Sequence, residues 1–271
     1  MVPSRGRIGV AVGAIAFVLG TSACVSDDLP PSIWPPADFR LVVEQRDVAG
    51  GAVHVTRRLV VGPDGVVTYG VSSAPLVDPV TGLSLPVFDR LAIYALVPIC
   101  LRALARRLDP LVEQAAVDEG SATASLAADG GYHLTWRAFR RSFVLAVPKR
   151  VRGIQAEIMT VVSAHLPLDE SFDVALNRPV VGVLRGVPQP RADAAGALGA
   201  YEDLLADGAV ADDLLLDAFA LACRLGQRDA AERWLARWAE ATAVARAGVS
   251  PFAEQGTRLE PEQLAAFLPP G

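Results

Sequence analysis

Lysine is almost missing from this sequence. Lys149 is the only one among 25 basic residues in a chain of 271, and the others are arginine. With 30 acidic residues the formal charge is −5, which excludes the basic excess that nucleic-acid binding needs. Histidine is scarce as well. His54, His133 and His165 stand at no i, i+4 spacing and beside no cysteine, so no metal-ligand pattern is present. Three cysteines are too few for a disulfide framework. Cys100 and Cys223 lie in apolar helical contexts and read as small buried hydrophobes. No apolar run reaches the roughly 20 residues of a membrane-spanning helix.

Catalytic motifs are also lacking. Val71-Ser-Ser-Ala has no flanking glycines, so there is no nucleophile elbow. Gly50-Gly51 and Gly130-Gly131 are turn glycines, not a phosphate cradle. Asp78-Pro-Val-Thr-Gly82 is a turn without the alternating oxygens of a calcium loop. The acidic pairs Asp118-Glu119, Asp169-Glu170 and Asp212-Asp213 fall at loops or helix starts, and Asp212-Asp213 suits the positive end of a helix dipole. No catalytic residue, metal ligand or cofactor site is nominated, and the chain reads as leaning away from an enzyme.

What is present begins at the N-terminus. Arg5 and Arg7 form a short basic region, Ile8–Leu19 is apolar, and Gly20-Thr-Ser-Ala23 are small. Basic, then apolar, then small is the order of a cleaved export signal, expected over 1–23. Thr21-Ser22-Ala23-Cys24 resembles the lipobox of bacterial lipoproteins. The resemblance covers residues 1–24 only. It implies that the Cys24 thiol receives a diacylglyceryl group and that the chain is cut just before it. Thr21 stands where the family usually has Leu, and Thr21-x-Ala23 also suits the ordinary signal peptidase, which would cut at the same place without lipid. Val25 is not the Asp that the family uses for inner-membrane retention, so the resemblance leans to the outer membrane in a cell with two. The expected partners are a membrane, through lipid on Cys24, and an envelope protein.

Residues 24–38 carry closely spaced prolines, with two acids at Asp27 and Asp28 before them, and read as a stiff tether. At 52% hydrophobic and 20% charged residues, the remainder is expected to be globular. Phe39–Arg46, Ala52–Val61 and Val66–Val71 are rich in strand formers, and Gly62-Pro-Asp-Gly65 supplies a tight turn. Helical spacing is expected from about Pro86 to Leu108, with Pro98 dividing it. Ala122–Ala127 and Tyr132–Arg137 read as a hairpin around 128–131, followed by a strand at Phe143–Val147. A helix opening at Pro148 carries Val151, Ile154, Ile158 and Val162 on one side.

The expected class is α+β: an antiparallel sheet covered by two helices over 39–166. A linker follows over 167–191 with one short strand at 180–184. A small all-helical domain over 192–271 completes the chain, with helices at 195–206, 212–225 and 229–245. Gly226 is expected as a C-cap, and Trp234 and Trp238 as core. Arg137, Arg140 and Arg141 read as a solvated basic cluster. A stretch around Leu225-Gly226, Ala230 and Trp234-Leu235 resembles one helical hairpin of the tetratricopeptide type. The strand–strand–strand–helix–strand–strand–helix order resembles, in topology alone, small bacterial inhibitors of thermolysin-like metalloproteases. Three functions follow: a non-enzymatic binding or scaffold protein of the envelope, an exported protease inhibitor, or an enzyme with a dispersed site.

Overall fold

The computed structural model describes residues 35–49, 52–117, 130–138, 141–148, 153–166, 193–206, 212–248 and 259–270. The expected leader, the tether up to residue 34, the strand at 122–127 and the linker with its strand at 180–184 lie outside the described residues.

Strands β1 (Arg40–Ala49), β2 (Ala52–Val61) and β3 (Val66–Ser72) are followed by a small hairpin, β4 (Leu76–Val77) and β5 (Ser84–Leu85). Then come β6 (Phe88–Ala95), helix α1 (Pro98–Val117), β7 (Gly131–Ala138), β8 (Arg141–Pro148) and helix α2 (Ile154–His165). Helices α3 (Ala194–Ala206), α4 (Asp212–Arg224), α5 (Arg228–Gly248) and α6 (Pro261–Ala265) complete the order. The class is α+β. Six strands form one sheet in the order β6-β3-β2-β1-β7-β8, and every neighbouring pair is antiparallel.

Two cores flank this sheet, because alternate residues along a strand face opposite sides. Leu41, Val43, Leu59, Val61, Leu134 and Trp136 point to one side and pack with Leu104, Leu108, Ile158 and Val162 of α1 and α2. Phe39 meets Trp136 edge-on there, with ring centroids 5.1 Å apart. On the other side Val42, Val60, Leu91 and Ile93 share a core with Tyr201, Leu215, Phe219 and Trp234 of α3, α4 and α5. The sheet is the middle layer of three. Each fully buried Leu or Phe contributes about 1.5–3 kcal/mol.

Double coverage explains the main correction to the sequence reading. Phe88–Ala95 is a strand, not the start of a helix. Leu91 and Ile93 are buried on the α3–α5 side and Ala92 on the α1–α2 side. A strand buried on both faces loses its period of two and reads as a continuous apolar run, the pattern a buried helix also gives. Pro98 does not divide the helix but begins it, at the first helical position, where its fixed φ and missing N–H cost nothing. Pro148 ends β8 rather than opening α2, which starts at Ile154 after Gly153 (φ 59°). The added strand β6 also departs from the element order on which the inhibitor likeness was drawn.

The turn at 62–65 forms as expected. Gly65 N–H donates to the Gly62 carbonyl at 3.1 Å, and Leu96 N–H donates to the Gly65 carbonyl at 2.8 Å. Gly226 (φ 69°) closes α4 with the paired bonds of a Schellman motif: its N–H to Cys223 O at 3.1 Å and that of Gln227 to Ala222 O at 3.0 Å. Trp234 and Trp238 are both core. Cys223 is a buried free thiol, as expected, and burial pushes its pKa up to about 12. Cys100 departs from that expectation: it is half-buried and disulfide-bonded, to a partner other than Cys223. Among the described residues no helix is long and apolar enough to cross a membrane.

Candidate functional site, a buried charge cluster between sheet and helices

Strongly perturbed ionisable groups gather at one place, the interface between the centre of the sheet and α4. Such clusters are where function is sought first. Glu44 on β1 and Arg58 on β2 are direct cross-strand partners, and Glu44 also pairs across β7 with His133. Their side chains rise from the face that carries Val42 and Val60, so α3–α5 close over them.

Arg58 donates from Nε (3.0 Å) and Nη2 (2.7 Å) to Glu44 Oε1, and from Nη1 to Asp217 Oδ1 on α4. Arg46 donates from Nε (3.1 Å) and Nη2 (2.6 Å) to the other Glu44 oxygen. One turn before Asp217, Asp213 accepts from Arg40 Nε at 2.9 Å. Spacing of i, i+4 puts both acids on one side of α4, where they meet arginines of two strands. His133 Nδ1 lies 4.0 Å from Glu44 Oε2.

The Arg58 guanidinium also lies 4.8 Å from the centroid of the Phe88 ring. Room for that ring comes from Gly70, which is paired with Arg58 in the sheet. A Cβ at Gly70 would sit 2.8 Å from Phe88 Cβ and Cγ. Gly70→Ala is therefore expected to push Phe88 off Arg58 and destabilise the fold by about 1–3 kcal/mol. Chemical denaturation measures this, and an unchanged midpoint would show that Phe88 has free room.

Burial and charge work against each other in this cluster. Burial alone would raise the Glu44 carboxyl, but the Arg58 and Arg46 charges and their hydrogen bonds outweigh it and hold it at about 2. Burial raises Asp217, Arg58 only partly offsets it, and the nearby Asp213 and Glu44 add to the rise, to about 7. Burial would lower Arg58, yet Asp217, Glu44 and Asp213 hold its proton more firmly than usual. His133 is lowered to about 4 by burial and by Arg46, against the pull of Glu44. Tyr201 on α3 is raised by burial and by Asp217, and stays a neutral phenol.

The sequence reading missed Glu44, Arg58 and Asp217. The signal for Asp217 was a lone acid inside the apolar run Leu214-Leu-Leu-Asp-Ala-Phe219, four residues after Asp213. Asp213 was read only as a helix-start charge, whereas it is also bonded to Arg40. The three histidines are not brought together. His133 joins the cluster, His54 lies on β2, and His165 is buried at the end of α2 with Nδ1 2.9 Å from Val161 O. No group of His, Cys, Asp and Glu that could hold a metal occurs among the described residues. Of the basic cluster, Arg141 is bonded to Asp109 at 3.1 Å and Glu113 at 2.9 Å on α1, so it is less solvated than expected. Arg140 and the acidic pairs Asp118-Glu119 and Asp169-Glu170 lie outside the described residues, as does Cys24.

Chemically, the cluster is a closed set of ion pairs. Both Glu44 oxygens are taken by arginines, and Asp217 is bound to Arg58. The arrangement ties α4 to two strands and leaves Arg58 no freedom to meet a ligand. The chain matches no protein-family model, no curated protein and no solved structure.

Proposed function

We propose that this is an exported cell-envelope protein held to a membrane by lipid on Cys24, with a non-enzymatic binding or scaffold role. The observation that carries the reading is the order at the N-terminus. Two arginines, the apolar Ile8–Leu19 and the small Thr21-Ser-Ala23 run directly into Cys24. The leaning against catalysis is supported by the cluster just described. Its perturbed groups are bound to one another and serve the attachment of the helical layer, as structural ion-pair networks do.

Phase separation in a mild detergent tests the anchor. The wild-type protein is expected in the detergent phase and Cys24→Ala in the aqueous phase. A wild-type chain that stays aqueous contradicts the reading. For the binding role, capture from solubilised envelope should recover a reproducible partner, and repeated recovery of nothing counts against it.

A further inference from the structure

The structure points to a second membrane contact, and we propose that the outer side of the first turns of α1 is a docking surface for an anionic lipid bilayer. The proposal rests on the reading of Cys24 as a lipid anchor and adds which side of the fold the anchor presents. Ile99 is exposed (44%), an unusual place for a large aliphatic side chain in this protein. Arg102 and Arg107 are exposed and Arg106 is half-buried. Spacings of three and four put Ile99, Arg102 and Arg106 on one side of the helix. That side is opposite the stripe of Leu101, Leu104, Leu108 and Val112 that packs on the sheet.

The local charge is opposite in sign to that of the whole chain. Ile99 to Leu108 contains three arginines and no acid. The next two acids along the helix, Asp109 and Glu113, are both bonded to Arg141. The exposed acids on the neighbouring elements include Asp64, in the turn beside the start of α1, and Glu157 on α2, which packs along α1. On a chain of net charge −5 an anionic bilayer repels the acidic remainder of the surface and attracts this basic side. Arginine forks suit phosphate oxygens, while an aliphatic side chain among them enters the headgroup boundary.

The topology places this patch where the anchor arrives. Leu41 near the start of β1 pairs with Val61 at the end of β2. The next residues form the turn whose Gly65 carbonyl is held by Leu96, two residues before α1 begins. The start of β1 and the start of α1 are thus at one end of the sheet. Residues 25–39 reach at most roughly 50 Å when fully extended, so lipid on Cys24 leaves that end within reach of the bilayer. The opposite end of the sheet carries Val80, which is 89% exposed in the loop between β3 and β6. Val80 is a control: equally aliphatic, but on the wrong side.

A polarity-sensitive fluorophore is placed on Ile99→Cys or on Val80→Cys in the protein purified from membranes. Each is mixed with vesicles of phosphatidylcholine alone or with added phosphatidylglycerol, the unlabelled-site background being set by the unsubstituted chain. A blue shift is expected at residue 99 with the anionic vesicles and none at residue 80. In the Cys24→Ala background, Arg102→Glu, Arg106→Glu and Arg107→Glu together are expected to lower anionic-vesicle affinity by roughly a hundredfold. Arg102 and Arg107 are exposed and Arg106 half-buried, and circular dichroism checks that the fold is kept. No shift at residue 99, a larger shift at residue 80, or a shift indifferent to lipid charge overturns the proposal. Intact mass of the same preparations separates the two readings. Acylated Cys24 without a shift removes the docking surface and keeps the anchor, while a shift on an unacylated chain does the reverse.

Discussion

Arg58→Met is expected to destabilise the protein by about 3–5 kcal/mol, although methionine fills much of the same space. The loss comes from what is left behind. Glu44 keeps Arg46, but Asp217 is stranded, buried at 3% exposure with no cation in contact. With Arg58 gone, nothing in contact offsets the burial that raises the Asp217 carboxyl, so it either takes up a proton or stays an unpaired buried charge, and in both cases its buried oxygens lose their partner. Replacing all three by apolar residues (Glu44→Leu, Arg58→Met, Asp217→Leu) removes the charges with their partner. That variant is expected to lie within about 1–2 kcal/mol of the wild type, or above it. Guanidinium unfolding of the two variants decides the matter. A mild single variant, or a triple variant worse than the single one, would mean that the cluster does more than tie the layers together.

Acidity gives the second large effect, because the cluster holds groups of opposite linkage. Glu44 is lowered from 4.5 to about 2 on folding, so the unfolded chain holds the extra proton between those values. Its contribution, about 3 kcal/mol, is complete above pH 4.5 and lost as pH falls towards 2. His133 is lowered from 6.5 to about 4, so its contribution is complete above pH 6.5 and lost as pH falls through 4. Asp217 is raised from 3.8 to about 7, and here the folded chain holds the extra proton. Its contribution is complete below pH 3.8 and lost as pH rises through 7.

Between pH 4.5 and 6.5 the His133 and Asp217 slopes oppose each other one proton for one, and stability is expected to be nearly flat. Asp217→Asn keeps an acceptor for Arg58 and removes one slope. Its stability is expected to rise by about 1.4 kcal/mol per pH unit across that window, or about 3 kcal/mol in all. Unfolding curves at pH 4.5, 5.5 and 6.5 measure this. Parallel profiles for variant and wild type would place the Asp217 proton elsewhere.

The fold was legible where one rule acted alone. β1, β2 and β3 carry strand formers bounded by turn residues, and Gly62-Pro-Asp-Gly65 leaves the chain few other options. α4 and α5 announce themselves by apolar spacing, Gly226 and the two tryptophans. Legibility failed where burial on both sides erased the period, at Phe88–Ala95, and where proline marks a boundary without saying on which side the helix lies, at Pro98 and Pro148. The packing of α3–α5 onto the sheet was illegible because it depends on contacts between residues far apart in the chain. Arg58 and Asp217 are 159 positions apart. A lone Asp between Leu216 and Ala218 asks for a partner, but nothing local says that the partner is on β2.

The most direct test of the central claim is the intact mass of the protein extracted from membranes, set beside Cys24→Ala. A chain beginning at residue 24 that carries acyl groups is expected, with loss of those groups in the variant. An unmodified chain beginning at Cys24 would contradict the anchor, leaving an exported protein without lipid.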